Sequence, residues 1–293
     1  MTQPEATVPD RVGVLGGGRM GGGIAHAFLL AGARVTVVER DEPAAAAARE
    51  RIERSIDASL ARGHDGDGAA LRAALTVTAD PTVFTDAALV IEAVPEALDL
   101  KLDALRLIEG QVASTATIAS NTSSIPLGQL AGALAHPARF IGLHFFNPVP
   151  ASSLIEVVVC AQTDPDLPET ARSWVRALGK TPITVADAPG FASSRLGVAL
   201  ALEAIRMVEQ GVAAPEDIDL ALELGYRHPT GPLRTTDIVG LDVRLGIAEQ
   251  LQRDLGDHFA PPQLLRDMVA AGKLGRKSGQ GFYAWPDSHT PTS

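Results

Sequence analysis

The sequence is short of several things, and each shortage narrows the field. Cys160 is the only cysteine in 293 residues. No internal disulfide can form, and no cysteine-based metal centre is expected. The plain reading of Cys160 is a small side chain closing a strand. Lysine is scarce, with only Lys101, Lys180, Lys273 and Lys277, and arginine makes up the rest of the 25 cations. That bias has no evident mechanism. The formal net charge is −10, so there is no cationic surplus of the kind that drives polyphosphate binding. Nucleic acid is therefore not expected as a partner, although a small basic patch for one phosphorylated ligand stays compatible. No apolar run approaches the length of a membrane span. Met1 to Asp10 lacks the basic and apolar stretches of an export signal. Neither an internal repeat nor a low-complexity linker is evident. The expectation is a protein of the reducing cytoplasm, without membrane or metal.

What is present is globular: 46% hydrophobic residues against 20% charged, with 4% aromatic. The length allows two domains with a large buried core. Strand-like and helix-like segments alternate through the first two-thirds, as in a parallel α/β sheet. Strands are expected at 11–15, 34–38, 75–78, 88–91, 116–119, 139–143 and 154–159, with 183–185 the last plausible one. An Ala- and Arg-rich helix is expected from about Glu42 to Arg62, and another from about Glu96 to Gly110. Beyond Ala186-Asp187-Ala188-Pro189-Gly190 the pattern changes to helix after helix. Pro215-Glu216-Asp217 opens one of them, with proline and acids suited to a first turn. The fold class expected is α/β, a Rossmann-type doubly wound sheet over 1–187 followed by an all-helical domain over 188–293. The tail from Trp285 onward looks frayed.

The first strand runs into Gly16-Gly17-Gly18-Arg19-Met20-Gly21, which is G-x-G-x-x-G on Gly16, Gly18 and Gly21. A helix follows, then a second strand ending in Glu39. The first glycine permits a tight turn, the second lets backbone approach a pyrophosphate, and the third lets helix and strand pack closely. Amides at the helix start would hold the phosphates, with Arg19 and Met20 as further contacts. A glycine triplet alone could be a mere loop; the order strand, triplet, helix, strand, acid points to a dinucleotide. Glu39 stands where an acid bonds adenosine ribose hydroxyls and repels a 2′-phosphate, which favours NAD. Arg40 leaves NADP open at this point.

A second constellation lies in the middle of the chain. His144 closes the apolar stretch Arg139 to Leu143, and Pro148 and Pro150 follow in a turn. Glu156 then sits in a second β-rich run. Neighbouring strands joined by such a turn can bring imidazole and carboxylate into contact, the arrangement of a general base oriented by an acid. A histidine at a strand end is, alone, more often structural.

Taken together, Gly16 to Gly21, Ser120-Asn121-Thr122-Ser123-Ser124, His144 to Pro150 and Pro189-Gly190-Phe191 resemble the L-3-hydroxyacyl-CoA dehydrogenase family, including bacterial 3-hydroxybutyryl-CoA dehydrogenases. His228 to Pro232, Asp237 to Asp242 and Gly275 to Tyr283 extend the resemblance over about residues 11–284. It implies reversible oxidation of a 3-hydroxyacyl thioester by NAD. His144 would take the hydroxyl proton, Glu156 would orient the imidazole, and Ser123 would hydrogen-bond the reacting oxygen. Glu96 and Lys101 would lie near the nicotinamide ribose, although an exposed helix start is the alternative. Ser55 and Arg62 match positions that contact CoA in relatives, with solvated surface as the alternative. Asn147 would brace either its own turn or the nicotinamide. A homodimer formed through the helical domain is implied.

One position departs from the family. Ser194 stands where an Asn that contacts substrate and cofactor is usual, shorter while still a donor and acceptor. That keeps a second reading open, a relative acting on a carrier-protein-bound or non-thioester hydroxy acid. A third is a structural NAD-binding protein without turnover, against which the joint presence of Ser123, His144 and Glu156 argues.

Overall fold

The computed structural model describes residues 7–286. The first six residues and the tail from 287 onward lie outside the described residues, so the reading of the chain start and most of that of the tail are untouched. Contact density divides the chain into two compact units, one ending at Ala188 and the other beginning at Pro189.

The first unit runs β1 (Arg11–Leu15), α1 (Arg19–Leu30), β2 (Arg34–Val38), α2 (Glu42–Ala61), α3 (Gly68–Ala73), β3 (Leu75–Thr78), β4 (Leu89–Glu92), α4 (Leu98–Gln111), β5 (Thr117–Ser120), α5 (Leu127–Ala131), β6 (Phe140–Phe145), β7 (Leu154–Val159), α6 (Leu167–Ala177) and β8 (Thr181–Ala186). The eight strands form one sheet in the order β3-β2-β1-β4-β5-β6-β7-β8. The chain first winds outward from β1 to β3, then returns to place β4 on the other side of β1. In an open α/β sheet that reversal opens a crevice at the carboxyl ends of β1 and β4, where ligands bind.

Local chemistry explains the elements. Val12, Val14, Val35, Val37, Leu89 and Ile91 are buried on central strands, as β-branched and aliphatic runs should be in a parallel sheet covered by helices. Helix α2 starts at Asp41, whose carboxylate accepts the amide of Ala44 at 2.7 Å, a side-chain cap of the usual kind. Ala45, Ala48, Ile52, Ile56 and Ser59 then return at helical spacing to its buried face.

The sheet is not wholly parallel, which corrects the pattern-based expectation. β7 runs antiparallel to β6, and β8 follows β7 in parallel. The link from Phe146 to Ser153 explains the reversal, because a parallel return needs a crossover of about a dozen residues or more, usually helical. Helices α3, α5 and α6 were not read from the sequence. α3 and α5 are only 6 and 5 residues long, too short to show a period.

The second unit holds α7 (Ser193–Glu209), α8 (Pro215–Tyr226), α9 (Pro232–Val239), α10 (Leu241–Leu255) and α11 (Gln263–Ala270). Val198, Leu202, Ile205, Ile218, Leu233, Leu241, Leu251 and Phe259 form its core. Buried Asp237 ties the end of this unit in, accepting from the amides of Phe282 and Tyr283 and from Trp285 Nε1 at 2.8 Å. Trp285 is thus anchored rather than frayed. Among the described residues no helix is long and apolar enough to cross a membrane. Nor do three or more His, Cys, Asp or Glu among them gather to hold a metal ion.

Candidate active site

The glycine loop sits between β1 and α1, at the crevice. Gly16 has φ +96°, and a Cβ on Gly21 would lie 1.8 Å from Gly16 O. Only glycine satisfies either position. Nothing stands within 4 Å of where a Cβ on Gly18 would project, so backbone there is open to a bulky anion. Arg19, the first residue of α1, is exposed, whereas Met20 packs partly against the core. Glu39 Oε1 accepts the Gly17 amide at 2.7 Å, and Arg51 Nη1 donates to Gly17 O at 2.7 Å. The acid at the end of β2 therefore fixes the loop as well as facing it. Its carboxylate has lone pairs enough for ribose hydroxyls besides. Arg40 turns to Asp41, Nε to Oδ2 at 3.1 Å. Arg51 was missed because an arginine within an Arg-rich helix carries no distinguishing signal. These features fit a dinucleotide: a bare backbone cradle, a helix N-terminus and an acid beyond it.

On β6 and β7 the strand register pairs His144 directly with Glu156. Their side chains meet, Nδ1 to Oε2 at 2.7 Å, with Glu156 fully buried and His144 6% exposed. Opposite residues of an antiparallel pair carry Cβ atoms only about 4.5–5.5 Å apart, so the contact follows from the pairing. The Phe146 ring lies 4.5 Å from the imidazole, centroid to centroid. Asn121, quoted above only as part of a motif, and Lys180, missed by sequence reading, hold this hairpin. Asn121 Oδ1 accepts the Phe145 amide at 2.9 Å. Lys180 Nζ donates to Val149 O at 2.7 Å and Ser152 O at 2.5 Å. Burial lowers the Lys180 pKa.

The loop after β5 is built on Glu96. Its Oε1 accepts from Thr122 Oγ1 at 2.7 Å, from the Ser123 and Ser124 amides at 2.9 and 3.0 Å, and from Ser124 Oγ at 3.0 Å. Ser123 Oγ also points at it, 3.3 Å away. Burial opposes the charge of Glu96, but Lys101 and these donors outweigh it and hold the carboxyl below the usual range. Glu96 is exposed and stands just before α4, with its carboxylate engaged by the loop after β5. Lys101 is 1% exposed, and its ammonium meets Glu92 Oε1 at 2.7 Å, Val94 O at 3.2 Å and Glu96 Oε2 at 3.2 Å. Three acceptors engage the three donors of an ammonium, and Glu96 is the one that links Lys101 to the loop after β5. Glu92, buried at the end of β4 and also bonded by Ser120 Oγ at 2.6 Å, escaped the sequence reading because it looked like a strand terminus.

The remaining candidates are more dispersed. Ser55 lies on α2, and Arg62 is the residue at which that helix ends. Ser55 Oγ donates to Arg51 O at 3.0 Å, and Arg62 is exposed. Beneath them His26 is buried, its Nε2 3.1 Å from Ser59 Oγ. Burial first, then Arg62 and His64, push its imidazole down to about 4. Asn147 is exposed in the β6–β7 turn. Ser194 is half-buried in the first turn of α7, in the second unit.

Comparison with known proteins agrees across the chain. Residues 11–188 match the 3-hydroxyacyl-CoA dehydrogenase NAD binding domain and residues 190–285 the 3-hydroxyacyl-CoA dehydrogenase C-terminal domain. A probable 3-hydroxybutyryl-CoA dehydrogenase of Deinococcus radiodurans is 41% identical over 94% of this chain and all of that one. A 3-hydroxybutyryl-CoA dehydrogenase of Mycobacterium tuberculosis is 42% identical over 94% of this chain and 98% of that one. The crystal structure of (S)-3-hydroxybutyryl-CoA dehydrogenase from Ralstonia eutropha superimposes with a TM-score of 0.90 at 38% identity, covering 94% of this chain and 99% of that one.

Proposed function

Since the chain belongs to the 3-hydroxyacyl-CoA dehydrogenase family and is an NAD-dependent dehydrogenase of that kind, we propose that it interconverts a short-chain L-3-hydroxyacyl-CoA, such as 3-hydroxybutyryl-CoA, with the 3-ketoacyl-CoA, using His144 as general base. The buried 2.7 Å contact between His144 and Glu156 carries this reading. An alcohol carbon releases hydride only as its hydroxyl proton leaves, and imidazole is a base suited to neutral pH. With Nδ1 given to Glu156, proton transfer falls to Nε2. Glu156 fixes the tautomer and stabilises the cation as it forms.

Gly16, Gly18 and Gly21 with the start of α1 would hold the pyrophosphate, and Glu39 the adenosine ribose. Bound NAD supplies the hydride-accepting ring. Glu96 shapes the Ser120–Ser124 loop, from which Ser123 would hydrogen-bond the reacting oxygen, and Lys101 steadies Glu96. Ser55 and Arg62 are proposed for the CoA moiety, Asn147 for the nicotinamide side and Ser194 for the acyl group. A homodimer is supported by exposed apolar side chains on α7 and α8, among them Leu196, Leu224 and Tyr226 at 66%, 78% and 77% exposure, more than an isolated surface usually carries. Cysteine usage supports a cytoplasmic setting.

Ser194 favours the second reading, a carrier-bound or free hydroxy acid. One panel separates them: NADH oxidation followed at 340 nm with acetoacetyl-CoA, free acetoacetate and an acyl-carrier thioester. Acetoacetyl-CoA should be fastest. Faster turnover of either other substrate, or none of the CoA ester, would overturn the proposal.

A further inference from the structure

The residue between the first two glycines of the loop is itself a glycine, and the reason lies on α2. A Cβ on Gly17 would stand 2.6 Å from that of Ala48, so α2 rests directly on the loop. Arg51 comes three residues after Ala48, on the same side of the helix. Its stem passes α1 at Gly22, where a Cβ would lie 3.4 Å from Arg51 Cδ, and Nη1 donates to Gly17 O at 2.7 Å. Among the described residues that is the only hydrogen bond of this guanidinium, and no carboxylate pairs with it. Its neighbours on α2 behave otherwise: Arg49 and Arg54 turn to Glu53 and Glu50 one helical turn away.

The bond constrains more than one carbonyl. The peptide joining Gly17 to Gly18 is trans, and a planar trans unit sets C=O and N–H on opposite sides. With Gly17 O drawn toward α2, the Gly18 amide is turned away from it. That amide meets no backbone or side-chain acceptor among the described residues. Gly18 is exposed, with nothing within 4 Å of where its Cβ would be. The other end of residue 17 is fixed as well, because its amide donates to Glu39 Oε1 at 2.7 Å. Carboxylate and guanidinium thus grip the two ends of Gly17 and leave the next amide as a free donor at the start of α1, where an anion is favoured. Glycine alone would let this segment wander, and donors already in place cost less to order when a ligand arrives.

We propose that Arg51 is a positioning residue for the cofactor: by holding the Gly17 carbonyl it aims the Gly18 amide at the diphosphate and so sets the affinity for NAD. This rests on the reading above that the Gly16–Gly21 loop holds the pyrophosphate.

The test uses full-length protein, with NADH binding followed by cofactor fluorescence and with ADP and adenosine measured as its competitors. Arg51→Met keeps the stem and removes the donors. It should raise the Kd of NADH and of ADP by about the same factor, roughly tenfold, the lower end for a hydrogen bond that involves a charged group. Adenosine, which carries no phosphate, should bind as it does to wild type. In turnover the effect should lie in KM for NADH and not in kcat. Arg51→Lys, with a cationic donor on a flexible stem, should recover part of the loss. A thermal melt checks that each variant folds, and Arg51→Gln repeats the measurement should the methionine variant fail to. An NADH Kd within about twofold of wild type would overturn the proposal, since the expected effect is roughly tenfold. So would a loss shared equally by adenosine and ADP, or a fall in kcat at saturating NADH, either of which would mean that α2 as a whole has shifted. ADP that fails to displace NADH from wild type would sink the reading of the glycine loop, and the proposal with it.

Discussion

Replacing Glu156 by Gln tests the chemistry with little change of shape. The β6–β7 pairing is held by backbone, so the amide should occupy the same buried place, and only charge and proton preference change. In wild type the carboxylate sits 2.7 Å from Nδ1 with no solvent exposure. As the imidazole gains its proton, that hydrogen bond becomes ionic at both ends. Charge-assisted bonds contribute roughly 1.5–3 kcal/mol net, against about 1 for a neutral one. The glutamine keeps a neutral bond, so the loss is about 0.5–2 kcal/mol and kcat should fall by roughly 2- to 30-fold. The interaction strengthens only as charge develops, so kcat should fall while KM for acetoacetyl-CoA changes little. Initial rates at 340 nm across substrate concentrations give both constants, and a circular dichroism melt confirms that the variant folds. His144→Ala should cost at least about 10²-fold, and adding Glu156→Gln to it should cost nothing further, because the two groups act as one unit. A kcat equal to that of wild type, or an effect confined to KM, would refute the braced-base mechanism.

Two other perturbations probe buried charge. Lys101→Met strands Glu92, which is 0% exposed, and should cost about 3–5 kcal/mol in urea denaturation; adding Glu92→Gln should recover much of that, and a lone variant as stable as wild type would show the pair to be idle. His26 has a native imidazole held down to about 4 by burial, Arg62 and His64, against 6.5 unfolded. Unfolding therefore takes up a proton between those values, so the stability His26 confers is complete above about 6.5 and is lost as pH falls toward about 4. His26→Gln should flatten the fall of Tm over that window, and an unchanged slope would mean other groups drive it.

The glycine signature was legible because its three glycines answer three separate steric demands, and Gly21 shows the demand most plainly. The central strands were equally legible, since Val12, Val14 and Ile91 lie in runs too apolar for a surface. The supporting contacts were not. Asn121, Lys180 and Arg51 act through side chains meeting backbone far away in sequence, Lys180 reaching a turn 28 to 31 positions earlier. No periodicity announces such a contact. Glu92 was hidden for a related reason: an acid ending a strand looks solvated until Lys101 and Ser120 are seen around it.

The reversal of β7 links the fold to the proposed chemistry. Had the chain kept to the parallel pattern, a crossover would have separated His144 from its acid by a helix, and slanted parallel pairing would have offset them. A short turn back along β6 sets Glu156 directly opposite His144 on the same face of the sheet. Parallel β8 then covers the outer side of β7, keeping the carboxylate away from water, where its hold on the imidazole is strongest. Lys180 lies just before β8 and fastens the turn by its carbonyls. The strand that covers the acid thus follows directly on the residue that fixes the loop. On this reasoning a lengthened β6–β7 turn would weaken the pair by loosening its register, with every catalytic side chain still in place.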